Sequence, residues 1–279
     1  MFTDSVQELT RREYELFRAL IYEQCGINLG QQKMQLVRAR LGKRLRAGGF
    51  RSYREYYEFV RNDPTRSELV HLIDAISTNT THLFREGRHF EFLARTVRRW
   101  MEAEPPRPLP IRIWSAGCSS GEEAYSIAMT MDDLLRCCPR LQFKILATDI
   151  STRMLERARR GVYPPDRLAN VPAEFRRRYF LRIVEDGEPL AQVRPELRRA
   201  VRFARLNLVN EPFPFRNGFD VIFCRNVMIY FDRPTQQALV SKFTAALNPG
   251  GYLLIGHSES LNNTQHALRY VMPTVYAKP

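Results

Sequence analysis

The stretch IRIWSAGCSSGEEAYS at residues 111–126 decides the fold. Ile111, Arg112, Ile113 and Trp114 have strand texture and run into a turn carrying Gly117 and Gly121. The spacing beyond predicts a helix over 123–136. In an open parallel sheet, ligands bind outside the carboxyl ends of the strands. Two glycines there would let the backbone approach a ligand closely. The G-x-G-x-x-G dinucleotide fingerprint is absent, because Ser119 replaces its middle glycine. Glu122 and Glu123 are poor neighbours for a pyrophosphate and better ones for a ligand carrying positive charge. A tight turn with no ligand is the plainer alternative.

Downstream, strands alternate with helices. FKILAT (143–148) reads as a second strand ending in Asp149, and Ser151 can cap the helix that carries Met154, Leu155 and Ala158. Strands are expected over 201–206, ending at Asn207, and over 221–223, ending at Cys224, Arg225 and Asn226. A helix over 234–247, a strand over 252–256 and a last strand over 271–276 follow. This order implies a mostly parallel, doubly wound sheet. Residues 172–199 interrupt it with an Asp186-Gly187 turn signal between apolar stretches, which reads as a small antiparallel insert. A carboxylate at the end of the second strand can accept both ribose hydroxyls. Nicotinamide cofactors and S-adenosylmethionine share that logic. An N-cap is the alternative for Asp149; for Asn207, the alternatives are reading an adenine edge or closing a turn.

Upstream, residues 1–76 read as all-helical. Residues 8–23 have helical apolar spacing. In 33–46, Met34, Val37, Leu41 and Leu45 form one narrow stripe, with Lys33, Arg40, Lys43, Arg44 and Arg46 around the rest of the circumference. Ser52 can cap a third helix whose buried side is Tyr53, Tyr56, Tyr57 and Val60. A fourth is expected over 65–76. A polar stretch at 77–85, a helix to about residue 101 and a proline-rich connector at 105–110 complete a linker over 77–110.

Composition bounds the function. The 279 residues carry 43 Lys+Arg and 30 Asp+Glu, a formal charge of +13. Aromatic content of 11% excludes wholesale disorder. No apolar run approaches the ~20 residues of a membrane span. The first residues lack a secretory pattern. Five cysteines without paired spacing suggest free thiols in a reducing compartment, hence the cytoplasm. Residues 33–54 hold eight basic residues and no acid; residues 153–205 hold fourteen Arg against seven acids. An anionic partner fits, either nucleic acid or an acidic protein surface; a merely solubilising surface is the alternative.

Four motifs in order carry a resemblance: STNTTHLFRE (77–86), WSAGCSSGEEAYS (114–126), CRNVMIYF (224–231) and GHSES (256–260). Together they resemble the CheR family, the chemotaxis receptor glutamate methyltransferases, over nearly the whole chain. The resemblance implies an α/β, Rossmann-like, S-adenosylmethionine-dependent methyltransferase domain (111–279) with its antiparallel insert, preceded by an all-α receptor-docking domain (1–76). It implies esterification of glutamates on the cytoplasmic helices of methyl-accepting chemoreceptors, leaving S-adenosyl-L-homocysteine. Asn79, Thr81 and Arg85 would contact the cofactor or the catalytic centre. Ala116, Gly117 and Glu123 would line the methionine side, and Asp149 would hold the ribose. Asn207 and Leu208 would flank the adenine. Cys224, Arg225 and Asn226 would form the fourth-strand wall, with Tyr230 close to the transferable methyl. Arg40, Lys43, Arg44 and Arg46 resemble the basic helix face that docks on the receptor. Leu83 stands where a second Phe is usual, and Ala124 where Pro is usual. The insert lacks a Gly-x-Gly turn, so tethering through a receptor's C-terminal pentapeptide is not expected.

The chemistry suits these residue types. A glutamate with an ordinary pKa of about 4.3 is already the nucleophile at pH 7, so no general base is required. Cation and anion become two neutral groups in the displacement, which a dry, well-oriented site favours. Arg85 is assigned to positioning. No metal, nucleic-acid partner, membrane insertion or oligomer is expected. Three lesser patterns compete: residues 210–213 as a nucleic-acid methyltransferase element, His257-Ser258-Glu259 as a hydrolase fragment, and Cys118 with Cys224 as a redox pair.

Overall fold

The computed structural model describes residues 8–210 and 212–279; residues 1–7, which carry the reading of the N-terminus, and Glu211 lie outside them. Four helices come first: α1 (Arg11–Cys25), α2 (Met34–Gly48), α3 (Tyr53–Asn62) and α4 (Ser67–Ile76). A capping box starts α1, where Thr10 Oγ1 accepts the Glu13 amide and Glu13 reaches back to Thr10 N. Ser52 Oγ accepts the Glu55 amide and starts α3 as expected. The apolar stripe of α2 buries Val37, Leu41 and Leu45 fully against Tyr14, Phe17 and Tyr56.

α5 (Arg88–Glu102) leads into the α/β part. Its elements are β1 (Ile111–Ala116), α6 (Glu122–Leu134), β2 (Phe143–Asp149), α7 (Thr152–Arg160), β3 (Val162–Tyr163), α8 (Ala173–Tyr179), β4 (Phe180–Glu185), β5 (Glu188–Val193), α9 (Pro195–Arg199), β6 (Val201–Arg205), β7 (Phe219–Cys224), α10 (Arg233–Ala246), β8 (Leu247–Ile255), β9 (Arg269–Met272) and β10 (Val275–Ala277). The main sheet has the order β6-β2-β1-β7-β8-β10-β9. Its first five strands are parallel, and β10 pairs antiparallel to β8 and β9. One side of β1 continues into β2 and the other into β7, so the order reverses there. That reversal opens a crevice at the carboxyl ends of β1 and β7.

Trp114 anchors one face of the sheet. It is fully buried among Phe213, Phe215, Phe219 and Phe243, and its Nε1 donates to Thr148 Oγ1 at 2.9 Å. α5 and α6 cover the other face.

Three expectations change. The last strand is a hairpin, β9 and β10, turning at Pro273 and Thr274. β8 starts at Leu247, the last residue of the expected helix and five residues before the expected strand. The antiparallel insert is a three-stranded sheet, β3-β5-β4, which recruits Val162 and Tyr163 from ahead of residue 172. Its Asp186-Gly187 turn has φ of 51° and 81°, the left-handed pair of a tight hairpin.

Candidate active site

A cleft of about 600 Å³ opens at the crevice and is roofed by the helical elements. That size falls in the ~300–1,000 Å³ range of ligand sites. The sheet contributes Gly117, Asp149, Asn207 and Arg225 to its wall. The roof includes Leu36 of α2 and the segment 77–82. The contacts that seat the roof are specific. Asn28 N donates to the Tyr230 carbonyl at 2.8 Å, and Tyr22 Oη donates to Asp232 at 2.8 Å. Asp74 of α4 accepts from Thr152 Oγ1 at 2.9 Å, at the positive end of α7.

The two glycines of the first turn play different parts. Gly117 (φ +87°) lines the cleft, and a Cβ there would meet Val227 at 2.5 Å. Gly121 (φ +95°) does not line it. Its missing Cβ makes room for Ala158 at 2.9 Å, which lets α6 start against α7. Glu122 also turns away, buried and bonded to Ser120 Oγ at 2.7 Å.

Asp149 is buried at the end of β2. Its carboxylate accepts the Ser119 amide at 2.7 Å and the Ser151 amide at 2.9 Å. Ser151 itself caps α7, so the N-cap alternative for Asp149 falls away. Four lone-pair positions less two leave acceptor capacity toward the cleft. Burial pushes the Asp149 carboxyl up, and the two amides only partly offset this.

Arg225 is the hub of the inner wall. Its guanidinium is 2% exposed and pairs with Glu86 at 3.0 Å and Glu123 at 3.1 Å; it also donates to the Arg85 carbonyl. Glu123 additionally accepts from Ser115 Oγ at 2.7 Å. Burial raises the Glu123 carboxyl, with Arg225 and Ser115 opposing. Burial acts the same way on Glu86, but Arg225 and the His257 amide outweigh it and the net shift is downward. Arg225 is thus saturated by partners of the chain itself, whereas Arg85 is more open, donating to the Thr80 carbonyl at 3.0 Å.

The other expected residues divide. Asn79, Thr81, Arg85, Leu208, Asn226 and Tyr230 all line the cleft. Asn207 does too, but its amide already donates to the Gln24 carbonyl at 2.7 Å and accepts from Val209 N at 3.3 Å. Ala116 and Cys224 do not line the cleft: they end their strands with side chains fully buried in the core, and the next residues, Gly117 and Arg225, reach it instead.

The basic face of α2 is not one surface. Arg44 is spent internally, gripping buried Glu68 at 2.6 and 2.5 Å beside the Tyr56 hydroxyl. Arg40 closes the carboxyl end of α4, donating to the Ile76 and Ser77 carbonyls. Lys43 and Arg46 are exposed.

Three residues escape the sequence reading although they sit inside quoted motifs. His82 lines the cleft, and burial with Arg85, Arg225 and Arg167 nearby lowers its pKa. Glu86 pairs with Arg225. Glu259 accepts the Asn226 amide at 2.9 Å, the Gly256 amide at 2.6 Å and the Ile229 amide at 3.3 Å. It therefore pins the loop that carries Tyr230. Only motif membership hinted at them, since Arg225, Asn226 and Ile229, the partners that give Glu86 and Glu259 their roles, lie 30 or more residues away.

The lesser patterns dissolve. Glu259 is committed to backbone amides, and His257 is exposed, so no triad forms. Phe213 packs on Trp114 with ring centroids 5.0 Å apart. Cys118 and Cys224 are free, and burial drives both thiols well up. Among the described residues, no helix is long and apolar enough to cross a membrane.

Comparison with known proteins bears on this geometry. Residues 79–277 match the family model for the CheR methyltransferase SAM binding domain, and residues 12–77 match that for the CheR methyltransferase all-alpha domain. A chemotaxis protein methyltransferase of Borreliella burgdorferi is 42% identical over 97% of this chain and 95% of its own length. Chemotaxis protein methyltransferase 2 of Pseudomonas aeruginosa is 41% identical, covering 96% and 93%. The Escherichia coli chemotaxis protein methyltransferase is 39% identical, covering 96% and 91%. With both family models in register with the helical roof and the sheet below it, the chain belongs to the CheR methyltransferase family.

Proposed function

We propose that the chain esterifies glutamate side chains on the cytoplasmic helices of chemoreceptors, using S-adenosyl-L-methionine, and so tunes adaptation in a chemosensory pathway. The observation that carries this reading is the cleft at the β1/β7 crevice of a CheR-family chain, with the Asp149 carboxylate held at its floor by two amides. The residues fit the donor: spare acceptor capacity on Asp149 suits a ribose, and Glu123 suits a cationic amino-acid tail. When bound, the donor supplies an electrophilic methyl on a sulfonium.

The chain's own groups do the rest. Asp149 orients the ribose, and Leu208 flanks the base. Arg225 holds Glu123 and the Arg85 carbonyl, so it sets the wall rather than meeting the substrate. Tyr230 and Arg85 border the opening where the glutamate enters. The helical roof keeps water out, which raises the reactivity of a carboxylate that arrives ionised. The domains are 1–76 for docking, 77–110 for a linker that shares the cleft, and 111–279 for methyl transfer. Lys43 and Arg46, joined by Lys33 at the cleft's edge, give the acidic receptor helix its cationic face. The enzyme acts as a cytoplasmic monomer and requires no metal for the transfer.

Labelled methyl transfer tests this. Base-labile label on receptor protein, released as methanol, is the expected result. Alkali-stable label on RNA or DNA, or no transfer to any receptor, would overturn it.

Two further outcomes follow. Asp149→Asn is expected to weaken S-adenosylhomocysteine binding about tenfold to a hundredfold, the worth of one charge-assisted hydrogen bond. Binding needs the ionised form, and the Asp149 pKa is raised. Calorimetric affinity of the natural protein should therefore fall on acidification from above the ordinary aspartate range, and less so in the Asn variant. Arg85→Ala is expected to lower kcat/KM for the receptor by about a hundredfold, as lost positioning does, while product affinity changes less. Near-normal turnover would remove Arg85 from this role.

A further inference from the structure

Two histidines outside the cleft meet the carboxylate of Glu86. His89, near the start of α5, is 1% exposed. His257 follows β8 and is exposed, with its ring 5.4 Å from that of His89. Thr274, in the β9–β10 turn, fixes the His89 proton. The Thr274 hydroxyl donates to the Pro273 carbonyl at 2.6 Å, so its oxygen accepts from His89 Nε2 at 2.7 Å. The proton therefore sits on Nε2, and Nδ1 presents a bare lone pair. Buried Nδ1 has no hydrogen-bond partner among the described residues. It faces Glu86 Oε2 at 3.5 Å, and His257 Nε2 lies 3.8 Å from the same oxygen. Nδ1 and the carboxylate oxygen are both acceptors with no proton placed between them, although Arg225 also donates to that oxygen, and a cation between them would relieve Nδ1.

We propose that Glu86, His89 and His257 form a binding site for a divalent transition cation of the zinc type. One carboxylate oxygen and two imidazole nitrogens, all within 4.8 Å of one another, are the ligands. Neighbouring ligands of a tetrahedral zinc ion with bonds near 2.0–2.1 Å stand about 3.3 Å apart. Two of the three spacings are already close to that, and His257 is exposed and free to adjust. The contact from His89 Nε2–H to Thr274 is the outer bond that a ligating histidine ordinarily makes. With its proton on Nε2 toward Thr274, His89 offers Nδ1 to a metal. Arg225 does not make the surroundings cationic, because Glu86 and Glu123 outnumber it. The fourth position is left for water. Neither imidazole lines the cleft, so the ion takes no part in the displacement. Its effect is to tie the linker before α5 to the turn after β8, through the same carboxylate that Arg225 holds.

Calorimetry with zinc chloride on the full, tag-free chain tests the site, without methyl donor or receptor, so its outcome is independent of the methyl-transfer reading. The vicinal thiols Cys137 and Cys138, 3.9 Å apart, would compete for zinc, so all proteins carry Cys137→Ser and Cys138→Ser. One zinc ion per chain and a rise in melting temperature relative to chelator are expected. His257→Ala, at an exposed position, should weaken binding by at least about tenfold and abolish that rise. Thr274→Val should weaken it about tenfold, as loss of an outer bond does. No association in the parent, or equal affinity and equal thermal response in the parent and His257→Ala, would overturn the proposal.

Discussion

Replacing Arg225 with Met is expected to lower the melting temperature by on the order of 10 °C at pH 7 and to abolish methyl transfer. The guanidinium is 2% exposed, and its partners Glu86 and Glu123 are 10% and 12% exposed. Removing it strands two carboxylates in a dry wall, and breaking a buried pair this way costs about 3–5 kcal/mol. The deficit has a defined pH dependence. Burial already raises the Glu123 carboxyl, and without Arg225 it rises further, while Glu86 loses the main charge that holds it down. The unfolded chain ionises them near pH 4.3, so the loss is largest at neutral pH and shrinks as acid protonates them in the folded state. Adding Glu86→Gln and Glu123→Gln to Arg225→Met should restore most of the melting temperature, because no charge is then left unpaired. It should not restore turnover, because nothing would hold the Arg85 carbonyl. Recovery of both together would show that Arg225 serves stability alone. A melting temperature unchanged in the single variant would refute the buried clamp.

The second large effect separates four basic residues that look alike on a helical wheel. Arg44→Ala is expected to destabilise the protein by about 2–3 kcal/mol, somewhat under the about 3–5 of a fully buried pair, since the arginine is partly solvated. Glu68 would keep only the Tyr56 hydroxyl. Burial alone would raise the Glu68 carboxyl, yet Arg44 and Tyr56 hold it below its usual value. Its contribution is therefore present above the unfolded pKa and lost as pH falls through the lower folded value. Lys43→Glu combined with Arg46→Glu should leave the melting temperature nearly unchanged, since both are exposed. That pair should instead weaken receptor binding and make it less sensitive to salt. Thermal melts and receptor titrations at two ionic strengths read the two outcomes. An Arg44 variant with natural stability and lost receptor binding would return Arg44 to the docking face.

Local signals were legible where a few neighbouring residues fix the backbone. Ser52 and Ser151 cap the helices they precede because a short hydroxyl reaches the third amide on. Asp186-Gly187 makes a hairpin because both residues tolerate positive φ. The crevice was legible too, since strand-ending Gly117, Asp149 and Asn226 fall on one rim once the strands are parallel. The β9–β10 turn was not, because Thr274 takes φ +66° without being a usual turn residue. Nor was the early start of β8, whose pairing with β7 shifts register between Phe219 and Val221.

Sequence by itself determined the family, the doubly wound order and the rim residues, because motifs and periodicity are properties of short segments. Tertiary structure alone decided which charges are spent. Arg225 meets Glu86 across 139 residues and Arg44 meets Glu68 across 24, and a one-dimensional pattern cannot tell a paired guanidinium from a solvated one. The same holds for His89 and His257, whose meeting at one carboxylate depends on α5 and the end of β8 packing side by side.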